Sequence, residues 1–341
     1  MSKTPIQSVG EFGMIDQIRQ RVKIYHPSTL KGIGDDAAVF IHQDQESVVS
    51  TDLLLEGVHF DLMYTPLKHL GYKAIAVNVS DIAAMNAIPR QVTVSIGLSN
   101  RFSLEDVQEL YEGIFAACDN YQVDLVGGDT SSSRSGLVIS VTAIGAAPKE
   151  LLVYRNGAKP GDIICCTGDL GGAYMGLQVL EREKQVFLAD QHMQPQLEPY
   201  DYVVHRQLKP EARMDIIHEF RELGLVPTSM IDVSDGLASE LLHLARASHV
   251  GAKIYEEKIP IGQPTWQVAA DEFKIPVATC ALNGGEDYEL LFTISQSDYE
   301  KIKLHPDISF IGYIDEASKG VKMVTRGEQL VDITAQGWNH F

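Results

Sequence analysis

The chain has 341 residues, enough for two domains of ordinary size, and its 45% hydrophobic and 22% charged residues are the balance of a globular protein rather than a disordered one. Its formal net charge of -18 argues against nucleic acid and anionic membrane as ligands, because both require basic surfaces. Phosphate ligands remain open, provided that cations mediate.

The first half alternates strands and helices. Ala37 to His42 and Ser47 to Asp52 read as strands, and Leu67 to Ala87 as a helical stretch interrupted near Asn78-Val79-Ser80-Asp81. Gln91 to Leu98 has the β-branched alternation of a strand. Ser103 caps a helix with Asp106 three residues on. The helix carries Leu104, Val107, Leu110, Tyr111, Ile114, Phe115 and Cys118 at helical spacing. Val123 to Val126 is a short strand ending in Gly127-Gly128-Asp129, and Leu137 to Ile144 is another. The turn-rich segments Pro148-Lys149-Glu150 and Asn156 to Asp162 set a domain boundary near residue 150.

In the second half Ile163 to Thr167 is a strand, and Gly168-Asp169-Leu170-Gly171-Gly172 leads into a helix through Leu180. That glycine-rich turn suits a phosphate cradle at a helix start or close helix packing equally well. Residues 185–210, rich in Gln and Pro, read as a loop with short helical pieces, away from any chemistry. Asp232 to Gly236 begins the helix Leu237 to Ala247; Tyr288 to Ile294 and Ser309 to Ile314 are strands. The order implies an α/β protein built of α+β halves with mixed sheets. Val79-Ser80-Asp81 and Val233-Ser234-Asp235, each leading toward a helix, hint at duplication.

The start Met1-Ser2-Lys3-Thr4-Pro5 leads into no apolar signal segment, and no run is apolar enough to span a membrane. Cys118, Cys165, Cys166 and Cys280 form no C-x-x-C pair. They read as reduced core residues of a cytoplasmic protein.

The most informative pattern is acidic. Gly34-Asp35-Asp36, Ser50-Thr51-Asp52, Ser80-Asp81, Gly127-Gly128-Asp129, Asp232-Val233-Ser234-Asp235-Gly236 and Gly284-Gly285-Glu286-Asp287 put carboxylates where apolar runs meet loops of small residues. Gathered carboxylates repel unless cations sit between them, and hard oxygen ligands favour Mg²⁺. One Asp beside Gly is most simply a turn or a helix cap; the series in order is harder to explain that way. The usual nucleotide signatures are missing: there is no G-x-x-x-x-G-K-[ST], no kinase H-R-D or D-F-G and no H-E-x-x-H. Gly32-Ile33-Gly34-Asp35-Asp36-Ala37 imitates a dinucleotide fingerprint, but its aspartates would face a pyrophosphate and strand-like residues follow it.

These clusters, together with Val58-His59-Phe60, Asn78 to Met85 and the end Gly337-Trp338-Asn339-His340-Phe341, resemble thiamine-monophosphate kinases, of the aminoimidazole ribonucleotide synthetase superfamily. The resemblance covers nearly the whole chain. It implies a two-domain PurM-like fold whose N-terminal domains pair through their sheets in a homodimer. Residues 1–150 would form the ATP- and Mg²⁺-binding, dimerising domain. Residues 151–341 would form an α/β domain contributing to the substrate and metal site. Selenophosphate synthetases need a reactive Cys or selenocysteine near the N-terminus, yet no Cys precedes Cys118. The hydrogenase-maturation relatives end in a reactive Cys, where this chain ends in Phe341.

Carried over residue by residue, the resemblance implies metal binding by Asp35, Ser50, Thr51, Asp52, Asp81, Asp129, Asp232 and Asp235, with Asp36 structural. It implies nucleotide contacts at Tyr111, Gly128, Asp129, Arg155 and Ser234, and acceptor contacts at His59, Glu286 and Trp338. Without it, Tyr111 reads as core, Arg155 and His59 as surface residues and Trp338 as a C-terminal anchor. The implied reaction is ATP plus thiamine monophosphate giving thiamine diphosphate plus ADP. A phosphate monoester has a second pKa near 6 and needs no general base. The obstacle is repulsion between polyanions, about 4 kcal/mol for each pair of unit charges 4 Å apart at an effective dielectric of 20. Direct in-line transfer follows, with no phosphoenzyme. The alternatives are another ATP-dependent synthetase of the superfamily, a Mg²⁺-dependent phosphatase and a silent nucleotide-binding scaffold.

Overall fold

The computed structural model describes residues 17–31, 39–40 and 44–335. The described residues form two compact units, one running to Ala83 and from Ala87 to Leu151, the other comprising Ala84–Asn86 and the chain from Leu152. Both are mixed α/β, as the order of elements implied.

After helical residues 17–21, the first unit has a small antiparallel ribbon, β1 (Thr29–Lys31) against β2 (Val39–Phe40). The segment before β1 is anchored by buried Asp124, whose carboxylate accepts the N–H groups of Tyr25 and His26 and the Thr29 hydroxyl. The main sheet consists of β3 (Glu46–Leu55), β4 (Ile88–Leu98), β5 (Asp124–Ser132) and β6 (Val138–Ala147), in the order β3-β6-β4-β5. β6 runs antiparallel to both neighbours, and β4 and β5 are parallel.

One face of this sheet is covered. Ile139, Val141 and Ala143 of β6 and Val92, Val94 and Ile96 of β4 are buried. The helix α1 (Leu67–Ala84) packs so closely on β6 that a Cβ at Gly145 would lie 2.4 Å from Ile82 Cγ2. The helix α2 (Leu104–Tyr121) has the expected Ser103–Asp106 capping box and buries its Leu104, Val107, Leu110, Tyr111 and Ile114 stripe. α1 and α2 cross at Gly71 and Gly113, where a Cβ would sit 2.0 Å from Leu110 O and 1.8 Å from Lys68 O. On the opposite face Val49 and Leu53 remain 63% and 49% exposed.

The second unit is a seven-stranded sheet in the order β13-β12-β9-β11-β7-β10-β8. Its strands are β7 (Ile163–Thr167), β8 (Ser229–Asp232), β9 (Gly251–Tyr255), β10 (Leu290–Ile294), β11 (Ile308–Asp315), β12 (Val321–Val324) and β13 (Leu330–Asp332). All pairings are antiparallel except β12 with β9. Central β7 is buried on both faces, which is why Ile164, Cys165, Cys166 and Thr167 are all inaccessible. The unit's longest helices are α3 (Gly172–Ala189), α4 (Asp201–Leu208), α5 (Met214–Glu222) and α6 (Leu237–Ser248). Leu237, Leu241 and Leu244 of α6 join Ile164, Cys166, Ile231 and Ile254 in one core. Phe220 of α5 meets Phe292 of β10 edge-on at 5.1 Å. All four cysteines are free and buried.

Three local expectations fail for physical reasons. α1 runs unbroken through Asn78-Val79-Ser80-Asp81, because Asn78 donates to Ala74 O (3.0 Å) and accepts the Asp52 N–H (3.1 Å). Its polarity is satisfied inside rather than by a turn. β5 does not stop before Gly127-Gly128-Asp129 but runs through them; a Cβ at Gly128 would lie 1.8 Å from Val94 O, so glycine is required by the neighbouring strand. Val79-Ser80-Asp81 therefore lies within a helix, while Val233-Ser234-Asp235 follows β8 in a loop. The two copies of the motif have no common local structure. Of the strand expected at 37–42, Val39–Phe40 lies within the described residues, and Asp35, Asp36 and Trp338 lie outside them.

Candidate active site

In the first unit β3 alternates its side chains, so Ser50 and Asp52 share the face turned to α1. Asp81, three residues after Asn78 on α1, comes to the same place. The Ser50 hydroxyl donates to Asp81 Oδ2. Burial, and then the Asp81 charge, push the Asp52 carboxyl up from 3.8 to about 6. The structure thus brings Ser50, Asp52 and Asp81 together, and the two carboxylates work against each other.

Thr51 faces the other way. Its hydroxyl donates to Val141 O (2.9 Å) and accepts from Thr142 Oγ1 (3.1 Å), on the open face of the sheet. His59 follows β3 in a tight turn: its N–H bonds to Leu55 O (2.9 Å) and its Nδ1 accepts the Leu55 N–H (3.0 Å). Nδ1 therefore carries the lone pair, and the ring proton of neutral His59 is on Nε2. Tyr111 is buried on α2 beside Phe115, with ring centroids 5.8 Å apart.

Asp129 is not brought to Asp52 within one chain. The register runs from Leu53, next to Asp52, to Ser140, then Ser95, then Asp129. At ~4.8 Å per strand, three steps put β5 roughly 14 Å from β3. Gly128 and Asp129 lie exposed on that far edge strand.

In the second unit two loops are stitched together. Tyr288 N–H bonds to Val233 O (2.9 Å), Val233 N–H to Glu289 O (2.7 Å) and Glu286 N–H to Ser234 O (2.7 Å). This unites Asp232, Ser234 and Asp235 with Glu286, residues more than fifty positions apart in sequence. The approach is close enough that a Cβ at Gly285 would lie 2.6 Å from Ser234 O. Gly285 (φ 73°), Glu286 (φ 58°) and Tyr288 (φ 54°) are all left-handed. For the two non-glycine residues that conformation costs about 1–3 kcal/mol each, a form of strain that collects at functional sites.

Arg155 is placed beside this loop because Tyr154 O accepts the N–H of Met230 on β8 (3.0 Å). Its charge reaches Glu240, a residue that the sequence reading missed. Glu240 is buried in the first turn of α6, and its Oε1 accepts the Asp235 N–H at 3.2 Å. Burial pushes its carboxyl up to about 8; Asp232 and Asp235 add to the shift, while the Asp235 N–H and Arg155 oppose it. An acid in the turn after a D-x-x-D-G loop was the available signal.

The phosphate-cradle alternative at Gly168–Gly172 is answered by Asp287. Its buried carboxylate accepts the N–H groups of Gly171 (2.7 Å) and Ala173 (3.2 Å), taking up the start of α3. Burial raises this carboxyl to about 7 despite nearby Arg206. From the segment 185–210, Gln207 of α4 reaches this loop and donates to Glu286 Oε2 at 2.6 Å.

Among the described residues no three His, Cys, Asp or Glu side chains are arranged to hold a metal ion by themselves. Mg²⁺ does not require such a cage. It keeps several waters and takes one or two carboxylates plus substrate phosphates. The all-oxygen set of Ser50, Asp52 and Asp81, with its mutually repelling carboxylates, fits that demand.

The family described as AIR synthase related protein, N-terminal domain, matches residues 34–147. A thiamine-monophosphate kinase of Bacillus subtilis (strain 168) is 37% identical over 347 aligned residues, covering 97% of this chain and 99% of the relative. The crystal structure of a thiamine-monophosphate kinase from Stenotrophomonas maltophilia K279a superposes with a TM-score of 0.77 at 33% identity, covering 94% of this chain and 97% of that one. A structure described as AaThiL complexed with AMPPCP and TMP matches at 31% identity and a TM-score of 0.74, covering 100% of both chains. With kinship of this extent, the chain belongs to the thiamine-monophosphate kinase family.

Proposed function

We propose that the protein transfers the γ-phosphoryl group of ATP directly to thiamine monophosphate, giving thiamine diphosphate and ADP. The observation that carries this reading is the full-length kinship with thiamine-monophosphate kinases, held together with the acidic groups that the motif order singled out. A neighbour of the same fold is described in complex with AMPPCP and TMP.

The acceptor is a phosphate monoester, largely dianionic at neutral pH. It needs no base, and no residue is assigned to proton removal. Ser50, Asp52, Asp81 and Asp129 in the first unit, with Asp232 and Asp235 in the second, are the proposed Mg²⁺ ligands. Thr51 contributes only its backbone, since its hydroxyl is committed to Val141 O. Asp35 completes the set by its motif. When bound, Mg²⁺ lowers the repulsion between the two polyanions and draws donor and acceptor into line. Arg155 presents a fork of donors to the nucleotide phosphates. Ser234 and Gly128 contact the nucleotide, and buried Tyr111 supports it from α2. His59 offers its Nε2–H to the acceptor. Glu286 sets a carboxylate against the thiazolium cation, and Trp338 supplies the aromatic face that cations favour.

The working form is a homodimer that pairs through the first unit's sheet. Two features support this. The face of β3 that α1 leaves uncovered exposes Val49 and Leu53. Asp129 lies too far from Asp52 to share an ion with it in one chain, and a second copy can supply it. The four buried free thiols support a reducing, cytoplasmic setting, and among the described residues no helix is long and apolar enough to cross a membrane.

Purified protein with ATP, Mg²⁺ and thiamine monophosphate should yield thiamine diphosphate and ADP in equal amounts. Inorganic phosphate in place of thiamine diphosphate would favour a phosphatase. ATP turnover only with an unphosphorylated acceptor would favour a synthetase.

A further inference from the structure

Asn78 is a polar side chain in an apolar place. It is fully buried on α1, and Ile75, Val79 and Ile82 of the same helix are equally inaccessible. Burying an amide is costly unless it is hydrogen-bonded. Its Nδ2 donates to Ala74 O one turn back (3.0 Å), and its Oδ1 accepts the Asp52 N–H on β3 (3.1 Å). β3 pairs with β6 and with no other strand among the described residues, so alternate main-chain groups of β3 have no strand to meet. The Asp52 N–H is one of them, and α1 receives it in place of a strand.

The bond sits where the acidic groups meet. Asp81, three residues on and on the same side of α1, accepts the Ser50 hydroxyl. Ser50 stands two residues before Asp52, on the same face of β3. Helix and strand are thus tied at two points, Asn78 to Asp52 and Asp81 to Ser50. The two ties differ in kind. The bond between Ser50 and Asp81 uses two side chains that a cation would draw on. The bond from Asn78 uses the Asp52 main chain and keeps the Asp52 carboxylate out of it. Without that bond, the repulsion from Asp81 that already acts on Asp52 would press β3 away from α1.

We propose that Asn78 is a positioning residue for the cation seat. By tying the Asp52 main chain to α1, it fixes the separation of the Asp52 and Asp81 carboxylates and so sets how tightly they hold a divalent cation. The proposal rests on the reading of Asp52 and Asp81 as Mg²⁺ ligands.

Three variants test it, Asn78→Leu, Asn78→Thr and Asp52→Asn. Each is titrated with Mn²⁺, whose electron paramagnetic resonance signal is lost on binding. The melting temperature in EDTA and the midpoint of the rate against free Mg²⁺ are measured alongside, the latter with all ATP complexed. Leucine matches asparagine in size and loses both bonds. Threonine can return its hydroxyl to Ala74 O but is too short for the Asp52 N–H, so it separates the integrity of α1 from the tie to β3. Both Asn78 variants are expected to weaken Mn²⁺ binding about tenfold and to raise the Mg²⁺ midpoint by a similar factor, with KM for thiamine monophosphate within about twofold. Lowered melting temperatures with Mn²⁺ affinity and Mg²⁺ midpoint unchanged would show Asn78 to be structural only, and would overturn the proposal. Weaker binding in Asn78→Leu but not in Asn78→Thr would place the effect in the bond to Ala74 and refute the role of the tie to Asp52. If Asp52→Asn binds Mn²⁺ as the parent does, the reading of Asp52 as a ligand fails first.

Discussion

Replacing Asp52 by Asn should raise stability and abolish turnover together. The folded carboxyl is pushed up from 3.8 to about 6, by burial and then by Asp81. A carboxyl whose folded pKa is raised contributes stability below its unfolded value, and loses it as pH rises from about 4 through about 6. At pH 7.5 the metal-free protein therefore carries an ionised Asp52 at a cost. A shift of about two units at 1.36 kcal/mol each amounts to roughly 3 kcal/mol. Because the side chain keeps some contact with water, screening reduces this to about 1–2 kcal/mol. Asn has the same shape without the charge, and the main-chain bond from Asp52 N–H to Asn78 (3.1 Å) is untouched. Urea unfolding in EDTA, followed by far-ultraviolet circular dichroism, should show Asp52→Asn more stable than the parent by about 1–2 kcal/mol at pH 7.5. The difference should vanish below about pH 4. In Mg²⁺ the same variant should lose at least about a hundredfold in turnover. A variant less stable than the parent in EDTA, or a difference independent of pH, would refute the electrostatic account of the Asp52–Asp81 pair.

Gly128→Ala should lower the melting temperature and the activity together, because the added Cβ would fall 1.8 Å from Val94 O and force β5 from β4; a cost of about 1–3 kcal/mol is expected from overpacking. Ser103→Ala removes the capping box of α2 and should cost about 1 kcal/mol in denaturant unfolding with kcat and KM unchanged. Glu289→Gln leaves Arg206 and Arg213, which share that carboxylate at 2.9 and 2.7 Å, without their common counter-charge. A loss of about 3–5 kcal/mol is expected in the same unfolding assay.

What the sequence disclosed depended on the range of the physics. The α2 stripe and its Ser103–Asp106 cap were legible because helical periodicity and capping are local. The acidic groups were legible as a series because each stands in its own short motif, and Asp232, Ser234 and Asp235 indeed lie beside Glu286. The continuity of α1 was hidden, since Asn78 resembles a helix breaker until Asp52 is folded against it. The extension of β5 was hidden because Gly127-Gly128 reads as a turn unless Val94 is known to press on it. Gln207 stood 79 positions from Glu286 in a segment with no motif. Glu240 acts through a main-chain N–H, so its one sequence signal was an acid in the turn after Asp232 to Gly236. Thr51 came with Ser50 and Asp52 through the family motif, but the two-residue period of β3 turns its hydroxyl to the other face.

The most direct test of the account is the rate of thiamine diphosphate formation as free Mg²⁺ is varied at fixed ATP and thiamine monophosphate. If carboxylates seat ions that let two polyanions react, the rate must be nil in excess EDTA. It must also keep rising with free Mg²⁺ after all ATP is complexed, and Asp52→Asn must remove that second rise. Undiminished turnover in EDTA, or a rate that saturates when MgATP does and is unchanged in Asp52→Asn, would contradict it.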